Sequence, residues 1–164
     1  MTKVTASKVD NLRKLWQKCA SVPGGRWVFS KLLKYIIPYS GSIDARIIEL
    51  AAGEAKVKLR DRRKVRNHLN SIHAIALINL GELSSGLALN MGLKNNIRGI
   101  VTEINIQYHK KARGDLVAKC QFKIPDVSEK MDYWVETQIY NNENDIVATT
   151  RVCWRLSLIE ETVC

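Results

Sequence analysis

The first 40 residues follow a helical period of hydrophobic and polar positions. Residues 7–20 are predicted to form an amphipathic helix that ends at Pro23-Gly24-Gly25. A second helix is predicted over residues 26–37, because Pro38 disfavours its continuation. Its apolar stripe is expected to pack into the core and consists of Trp27, Leu32, Tyr35 and Ile36.

From residue 42 onward the period changes to two, which is typical of half-buried strands. Two strands are predicted around residues 43–47 and 55–59, and a long apolar helix over 72–92. Four further strands follow over residues 100–108, 116–122, 133–139 and 146–156. This order predicts an α+β architecture in which a mostly antiparallel sheet covers one apolar helix.

The predicted helix 72–92 carries a thin polar line, Asn79, Glu82 and Ser85, on an otherwise apolar surface. Its interior residues Gly81 and Gly86 indicate a close approach by another backbone or a ligand, because interior glycines weaken a helix. If Glu82 is buried without a cation, desolvation raises the pKa of its carboxyl and prepares it for acid–base chemistry. Alternatively, Glu82 reaches the surface or has a structural hydrogen bond.

The start of this helix is a second candidate for chemistry. Asn70 or Ser71 is expected to cap it, and His73 lies in the first turn. Free backbone N–H groups at a helix start suit a developing oxyanion. A histidine there could also simply satisfy the cap. The three histidines, His68, His73 and His109, lack the spacing of metal ligands, so no metal site is expected.

The chain is strongly basic, with 26 Lys and Arg against 16 Asp and Glu and a net charge of +10. The cations concentrate in residues 1–35, in residues 56–66 and in the group Lys110, Lys111 and Arg113. Such a surface favours an anionic partner, either nucleic acid, lipid headgroup, phosphorylated cofactor or acidic protein. No nucleic-acid-binding signature accompanies the charge, so nucleic acid is not expected. The alternative is a solvated face without a ligand.

Length, composition and cysteine spacing indicate how the chain folds and in which cellular compartment it is expected. A length of 164 residues predicts one domain, and 46% hydrophobic residues argue against a disordered chain. The four cysteines are widely separated, which fits a reducing cytoplasm. No signal peptide is expected. Residues 72–93 are long enough to span a membrane, but polar residues interrupt them, so we interpret them as a buried helix.

Two motifs resemble a known family, the hotdog-fold thioesterases of the phenylacetyl-CoA thioesterase-like group. The first is Asn67-His68 followed by Ile72-His73-Ala74, with Glu82 nine residues after the histidine. The second runs through Gln107-Tyr108-His109-Lys110-Lys111-Ala112-Arg113-Gly114-Asp115-Leu116. The resemblance covers roughly residues 40–158 and is closest to a subgroup known only as a domain of unknown function.

The resemblance implies a helix wrapped by a curved sheet, and a homodimer or dimer of dimers with active sites at the subunit interface. It would make Glu82 the general base or nucleophile and the Ala74 N–H the oxyanion donor. Asn67 would hold water or the carbonyl, and His73 would shape the turn. Where the family has His-Gly-Gly, this chain has His73-Ala74-Ile75. Alanine keeps its N–H, but Ile75 should narrow the acyl pocket.

These features predict a hydrolase of acyl-CoA or acyl-carrier-protein thioesters that needs no further cofactor. Arg66, Lys110, Lys111 and Arg113 would bind the phosphates of coenzyme A or the acidic surface of a carrier protein. Residues 1–40 would form a helical extension packed on a hotdog domain of residues 41–160. The alternatives are a non-catalytic binder of acyl-CoA or a fatty-acyl ligand, a hydratase, and a purely structural dimer.

Overall fold

The computed structural model describes residues 3–159 as four helices, one 3₁₀ turn and six strands. The helices are α1 (Lys3–Ala20), α2 (Gly25–Ile36), α3 (Pro38–Gly41) and α4 (Ala74–Gly92), and the 3₁₀ turn is Arg63–Val65. The strands are β1 (Arg46–Ala51), β2 (Glu54–Leu59), β3 (Ile97–Tyr108), β4 (Leu116–Gln121), β5 (Met131–Tyr140) and β6 (Ile146–Leu158).

The six strands form one antiparallel sheet in the order β1-β2-β4-β5-β6-β3. Helix α4 contacts all six strands, so the sheet wraps around it, while α1 and α2 pack beside β1 and the end of α4. Apolar side chains of α4 and of the inner sheet face make up most of the core. The predicted α+β class, the central helix and the two N-terminal helices are confirmed.

Gly81 sets how closely α4 approaches the sheet. A Cβ atom at this position would lie 2.1 Å from Oγ1 of Thr150, a fully buried residue of β6. At Gly86, a Cβ atom would lie 3.0 Å from the Trp154 ring. The two interior glycines therefore mark a close approach, but the groups that approach are side chains of β6 rather than the backbone or ligand that was predicted.

We expect Gly81→Ala to destabilise the protein although alanine is the better helix former. The gain in helix propensity is about 1 kcal/mol, whereas forcing extra volume into a packed core costs about 1–3 kcal/mol. Urea unfolding should therefore give a lower free energy of unfolding, and Thr150→Ala should restore part of the loss in a double mutant. A Gly81→Ala protein more stable than wild type would contradict this account of the helix–sheet contact.

The two edges of the sheet differ in how they are covered. Along β1, Trp16 Nε1 donates to the Leu50 carbonyl at 2.8 Å, and Arg26 Nη1 donates to the Ile48 carbonyl at 2.6 Å. Ser30 Oγ accepts from the Ile47 N–H at 2.9 Å. The N-terminal helices thus occupy the polar groups of this edge, which would otherwise be available for pairing.

The other edge, β3, contacts α1 and α4, but within residues 3–159 no helix side chain forms a hydrogen bond with its backbone groups. This 12-residue strand pairs with β6 on one side only. Its apolar side chains are poorly covered: Ile100 is 54% exposed, and Ile104 and Ile106 are half-buried. A long apolar edge strand is a surface on which another chain can pair.

The prediction that the apolar stripe of α2 packs into the core is wrong. Trp27, Leu32, Tyr35 and Ile36 are all exposed, because the helix instead buries the face that contains Phe29 and Leu33. Both faces of α2 are apolar, so spacing alone did not indicate which one meets the sheet. Pro38 ends α2 as predicted, but it also begins α3, since proline suits the first turn of a helix.

Helix α4 is, within the described residues, the one helix long and apolar enough to cross a membrane. Of its most apolar stretch, 67% is buried inside the protein, which fits the core helix of a soluble fold. Cys19, Cys120 and Cys153 are free thiols, and Cys164 lies outside the described residues. The division into an extension of residues 1–40 and a domain of residues 41–160 stays a prediction. Residue 160 also lies outside the described residues.

Candidate active site

The loop before α4 holds the helix start in place. Asn67 Oδ1 accepts hydrogen bonds from the Leu69 N–H at 2.9 Å and from the N–H and hydroxyl of Ser71, both at 3.2 Å. The Ile72 N–H donates to the Ala112 carbonyl at 2.7 Å. The side-chain oxygen of Asn67 is therefore used in shaping this loop.

His73, rather than Asn70 or Ser71, is the N-cap of α4. Its Nδ1 accepts from the Ile75 N–H at 3.1 Å, and its own N–H donates to the Val65 carbonyl at 2.8 Å. Ser71 does not cap the helix because α4 begins at Ala74, which makes His73 the flanking residue. This is the alternative given above, a histidine that satisfies the cap, and the part of His73 in a catalytic turn stays a prediction.

Ala74, the first helical residue, has an N–H that makes no hydrogen bond within residues 3–159. The residue is exposed, and Tyr108 Oη donates to its carbonyl oxygen at 3.4 Å. A free N–H at the positive end of a 19-residue helix is suited to an oxyanion. Because the Ile75 N–H is occupied by His73, Ala74 provides the available donor here.

Ala74 opens into a cleft of about 310 Å³, which we call the front cleft. The cleft is bounded by the loop before α4 and by the end of β3, and its lining includes Asn67, Ala74, Tyr108, Lys110 and Lys111. The front cleft thus brings together four predicted site residues, namely Asn67, Ala74 and the two cations Lys110 and Lys111.

Glu82 lies two turns further along α4, half-buried beneath α3. Burial away from water raises the pKa of its carboxyl, and the hydrogen bond that Ser40 Oγ donates to Oε2 at 3.2 Å offsets part of that rise. No Lys, Arg or His forms an ion pair with Glu82 in the described part of the chain. A desolvated carboxylate of this kind is suited to accept a proton.

A second cleft of about 210 Å³ lies between α3 and the start of α4, and we call it the rear cleft. Its lining includes Tyr39, Arg66, Ile75 and Asn79. Asn79 is buried, and its Nδ2 donates weakly to the Tyr39 carbonyl at 3.4 Å. Its Oδ1 has no hydrogen-bond partner, which is costly for a buried group and indicates an acceptor left for a ligand or water.

Ala74 and Glu82 of one chain do not converge on one point. They are eight residues apart on a helix, which separates them by about 12 Å along its axis and about 80° around it. A thioester carbonyl at the Ala74 N–H is therefore beyond the reach of the same chain's Glu82 carboxylate. Of the predicted catalytic residues, Asn67 and Ala74 line the front cleft, His73 lines the rear cleft, and Glu82 lines neither.

Several predicted cations are already paired with carboxylates. Arg66 Nε lies 2.5 Å from Asp61, and Lys110 Nζ lies 2.9 Å from Asp145. Lys111 and Arg113 are exposed and form no ion pair with any described residue. Lys110 and Lys111 line the front cleft, Arg66 lines the rear cleft, and Arg113 lines neither.

No pattern along the chain indicates the contacts that α3 makes with Glu82 and Asn79. Ser40 and Tyr39 reach across about 40 positions of the chain, and no local spacing encodes such a contact. A local sign of α3 is present in Pro38, because proline is common at the first position of a helix. In residues 3–159 no group of three or more His, Cys, Asp or Glu side chains could hold a metal ion.

A sheet wrapped around one helix, with a polar site at the helix start, defines the chain as a hotdog-fold protein. The chain belongs to the family described as a domain of unknown function, DUF4442, whose model matches residues 25–156. No curated protein matches it. The identified fold and subgroup agree with those that the sequence motifs indicated.

Solved structures show the same fold. A protein known only by a genomics label is 27% identical with a TM-score of 0.78, over 92% of this chain and 98% of its own. A probable thioesterase from Pseudomonas aeruginosa is 20% identical with a TM-score of 0.72, over 84% and 97%. A mutant of a thioesterase from Staphylococcus aureus is 17% identical with a TM-score of 0.63, over 75% and 98%.

Proposed function

We propose that the protein is a cytoplasmic hydrolase of acyl thioesters, with acyl-CoA or an acyl-carrier protein as substrate. The observation that carries this proposal is the free N–H of Ala74 at the start of a buried 19-residue helix. A preorganised donor at such a position stabilises the negative charge that develops on a carbonyl oxygen during acyl transfer. The thioesterase names of two proteins with this fold support the same reaction class.

In this reaction the thioester carbonyl oxygen accepts a hydrogen bond from the Ala74 N–H. Glu82 takes a proton from water as its oxygen attacks the carbonyl carbon, or the carboxylate attacks that carbon directly. Collapse of the tetrahedral intermediate breaks the carbon–sulfur bond, and the leaving thiolate takes up the proton that Glu82 accepted from water. If the carboxylate attacks directly, collapse instead leaves an anhydride between the acyl group and Glu82. Water then cleaves this anhydride, restores Glu82, and supplies both the oxygen of the carboxylic acid and the proton of the thiol. The raised pKa of Glu82 favours proton uptake. Asn67 holds water or the carbonyl.

The separation of about 12 Å between Ala74 and Glu82 requires two copies of the chain. Each site would combine the helix start of one protomer with the carboxylate of the other. The unpaired edge of β3 is the surface for this pairing, because the N-terminal helices already occupy the β1 edge. The protein would therefore act as a homodimer or a dimer of dimers.

The cations beside the front cleft suit a phosphorylated substrate. Lys110 and Lys111 line the cleft, and Arg113 follows on the same loop. Coenzyme A carries a diphosphate and a 3′-phosphate, which cations at the rim attract and hold. Arg66 lines the rear cleft and is paired with Asp61, so it would bind a phosphate by giving up its ion pair with Asp61.

The direct test is a panel of acyl-CoA esters with colorimetric detection of the released thiol. We expect thiol release with at least one ester, and a fall in apparent affinity at high salt because screening weakens phosphate binding. Proteins with Lys110→Ala and Lys111→Ala should show a raised KM for acyl-CoA with little change in kcat. Absence of thiol release from acyl-CoA esters of all chain lengths, and from the same acyl groups on an acyl-carrier protein, would contradict the hydrolase proposal.

A second candidate function is binding of acyl-CoA or a fatty-acyl ligand without hydrolysis. Two observations favour it: the Ile75 side chain is half exposed at the helix start, and Ser40 holds the Glu82 carboxyl by a hydrogen bond. A binder would show thermal stabilisation by acyl-CoA, since ligands that bind the native state raise its stability. It would release no thiol, and the same panel separates the two functions.

Asn79→Leu tests whether the rear cleft takes part in substrate binding. Leucine removes an unpaired buried oxygen, so the free energy of unfolding should stay within about 1 kcal/mol of wild type or rise. If substrate or water uses Oδ1, kcat/KM should fall roughly two- to tenfold, the value of one neutral hydrogen bond. A large loss of stability with unchanged kcat/KM would instead assign Asn79 a purely structural part.

A further inference from the structure

The outward side of α2 carries a concentrated apolar surface. Of the 13 large hydrophobic side chains exposed in the described chain, seven lie between residues 22 and 39. Tyr35 is 84% exposed and Tyr39 is 73% exposed. We call this surface the α2 face, and it consists of Val22, Trp27, Val28, Leu32, Tyr35, Ile36 and Tyr39.

Five of the seven residues of the α2 face lie on one side of α2, while Val22 lies in the turn before this helix and Tyr39 in α3 after it. Val28, Leu32 and Tyr35 are spaced i, i+4 and i+7, so they align along the outside of α2. The opposite side of α2 is already buried on the sheet through Phe29 and Leu33. A helix that is apolar on both sides is normally covered on both sides, so the α2 face calls for a partner.

Charge indicates what that partner is. Residues 11–43 contain six Lys or Arg and no Asp or Glu. Lys31 lies over the Trp27 ring, with Nζ 5.7 Å from its centroid. The nearest carboxylate, Asp44, already binds Lys31, Lys34 and Arg62, so three cations share one anion and the group keeps a net positive charge. The α2 face is thus an apolar surface beside cations.

A second copy of this chain fits that surface poorly. A two-fold contact places each patch against itself, so the cations beside one α2 face would lie against those of the other. An anionic lipid surface fits it well. Tyr and Trp side chains prefer the membrane–water interface, and flanking cations are attracted to anionic headgroups.

We propose that the α2 face docks the protein on the surface of an anionic membrane, with α2 lying in the plane of the interface. Trp27, Leu32, Tyr35 and Tyr39 would insert among the headgroups and upper acyl chains. Lys31 and Lys34 would bind lipid phosphates. The same segment continues into α3, which covers Glu82, so the docked face adjoins the candidate active site. Docking itself does not depend on hydrolysis.

The experiment is flotation of the full chain with vesicles of equimolar phosphatidylglycerol and phosphatidylcholine, compared with pure phosphatidylcholine vesicles. We expect binding to the anionic vesicles, little binding to the neutral ones, and weaker binding as salt rises. Leu32→Ser with Tyr35→Ser should lower the partition coefficient at least tenfold. The matched control, Trp134→Ser with Leu158→Ser, also removes two exposed apolar side chains and should bind as wild type.

Three results would overturn the proposal. The first is no binding to anionic vesicles, or equal binding to neutral ones. The second is an equal loss of binding in the control variant. The third is a fall in particle mass by light scattering when Leu32 and Tyr35 are replaced, because the α2 face would then be an interface between copies. Glu82→Gln should float like wild type, so loss of hydrolysis and loss of docking are measured separately.

Discussion

Replacing Ala74 with proline is expected to lower kcat about 10²–10³-fold while the protein stays folded. Proline removes one N–H, and loss of one oxyanion donor costs about 2.7–4 kcal/mol in comparable sites. The first helical position tolerates proline because its N–H has no intrahelical partner. The preceding residue, His73, already has φ −63° and ψ 139°, the extended backbone that proline requires of its neighbour.

Ala74→Gly is the matched control for this substitution. Glycine removes the methyl group of Ala74 but keeps the backbone N–H, so kcat should remain close to the wild-type value. Circular dichroism and urea unfolding should give similar stabilities for the proline variant and wild type. Full activity in Ala74→Pro would exclude the Ala74 N–H as the oxyanion donor, and with it the main support for hydrolysis.

Glu82→Gln is expected to abolish most of the hydrolysis, with a decrease of about 10²–10⁴-fold, the range of general-base catalysis. Glutamine keeps the shape of the side chain and its hydrogen bond with Ser40 but accepts no proton. Glu143→Gln, in an exposed turn, is the control that removes a carboxylate of no catalytic importance. Thiol release by the two variants under saturating substrate measures the difference.

The free energy of unfolding tests the role of Glu82 independently of activity. A carboxyl whose pKa is higher in the folded than in the unfolded protein binds protons more tightly when folded. The free energy of unfolding therefore decreases as pH rises from the unfolded pKa to the raised folded pKa. Glutamine lacks this decrease, so Glu82→Gln should be at least as stable as wild type at neutral pH. A large loss of stability would indicate a structural part for the carboxylate.

The elements of the fold could be predicted because each follows a period that burial enforces. In β2, Ala55, Val57 and Leu59 are buried while Lys56 and Lys58 point outward, as alternation requires. The apolar stretch of α4 was long enough to be distinguished from a strand. Its two interior glycines indicated close packing, and Thr150 and Trp154 prove to be the contacts.

Features that depend on contacts between distant residues could not be predicted from the sequence. Lys58 meets Asp115 because β2 pairs with β4, and Lys110 meets Asp145 although 35 positions separate them. The expected free cations are therefore partly neutralised. The cap of α4 differs from the prediction because Ile72 pairs with Arg66 as extended backbone, so the helix begins at Ala74 and His73 caps it.

The candidate site was predicted in part. The helix start and Glu82 were identified from a short motif, and burial of Glu82 without an ion-pair partner agrees with the interpretation of it as a base. The cover that α3 provides was not foreseen, because Ser40 meets Glu82 only when α3 packs on α4. Nor does spacing along the chain indicate which face of α2 is buried, since that depends on the side chains of β1.

The central claim is that each active site combines Ala74 of one protomer with Glu82 of another, and a heterodimer tests it most directly. Ala74→Pro and Glu82→Gln chains carrying different affinity tags are co-expressed, and the mixed dimer is isolated by two purification steps. One of its two sites then contains both wild-type groups, so it should recover about half of the wild-type activity, although each parent is nearly inactive. A mixed dimer as inactive as its parents would contradict the claim.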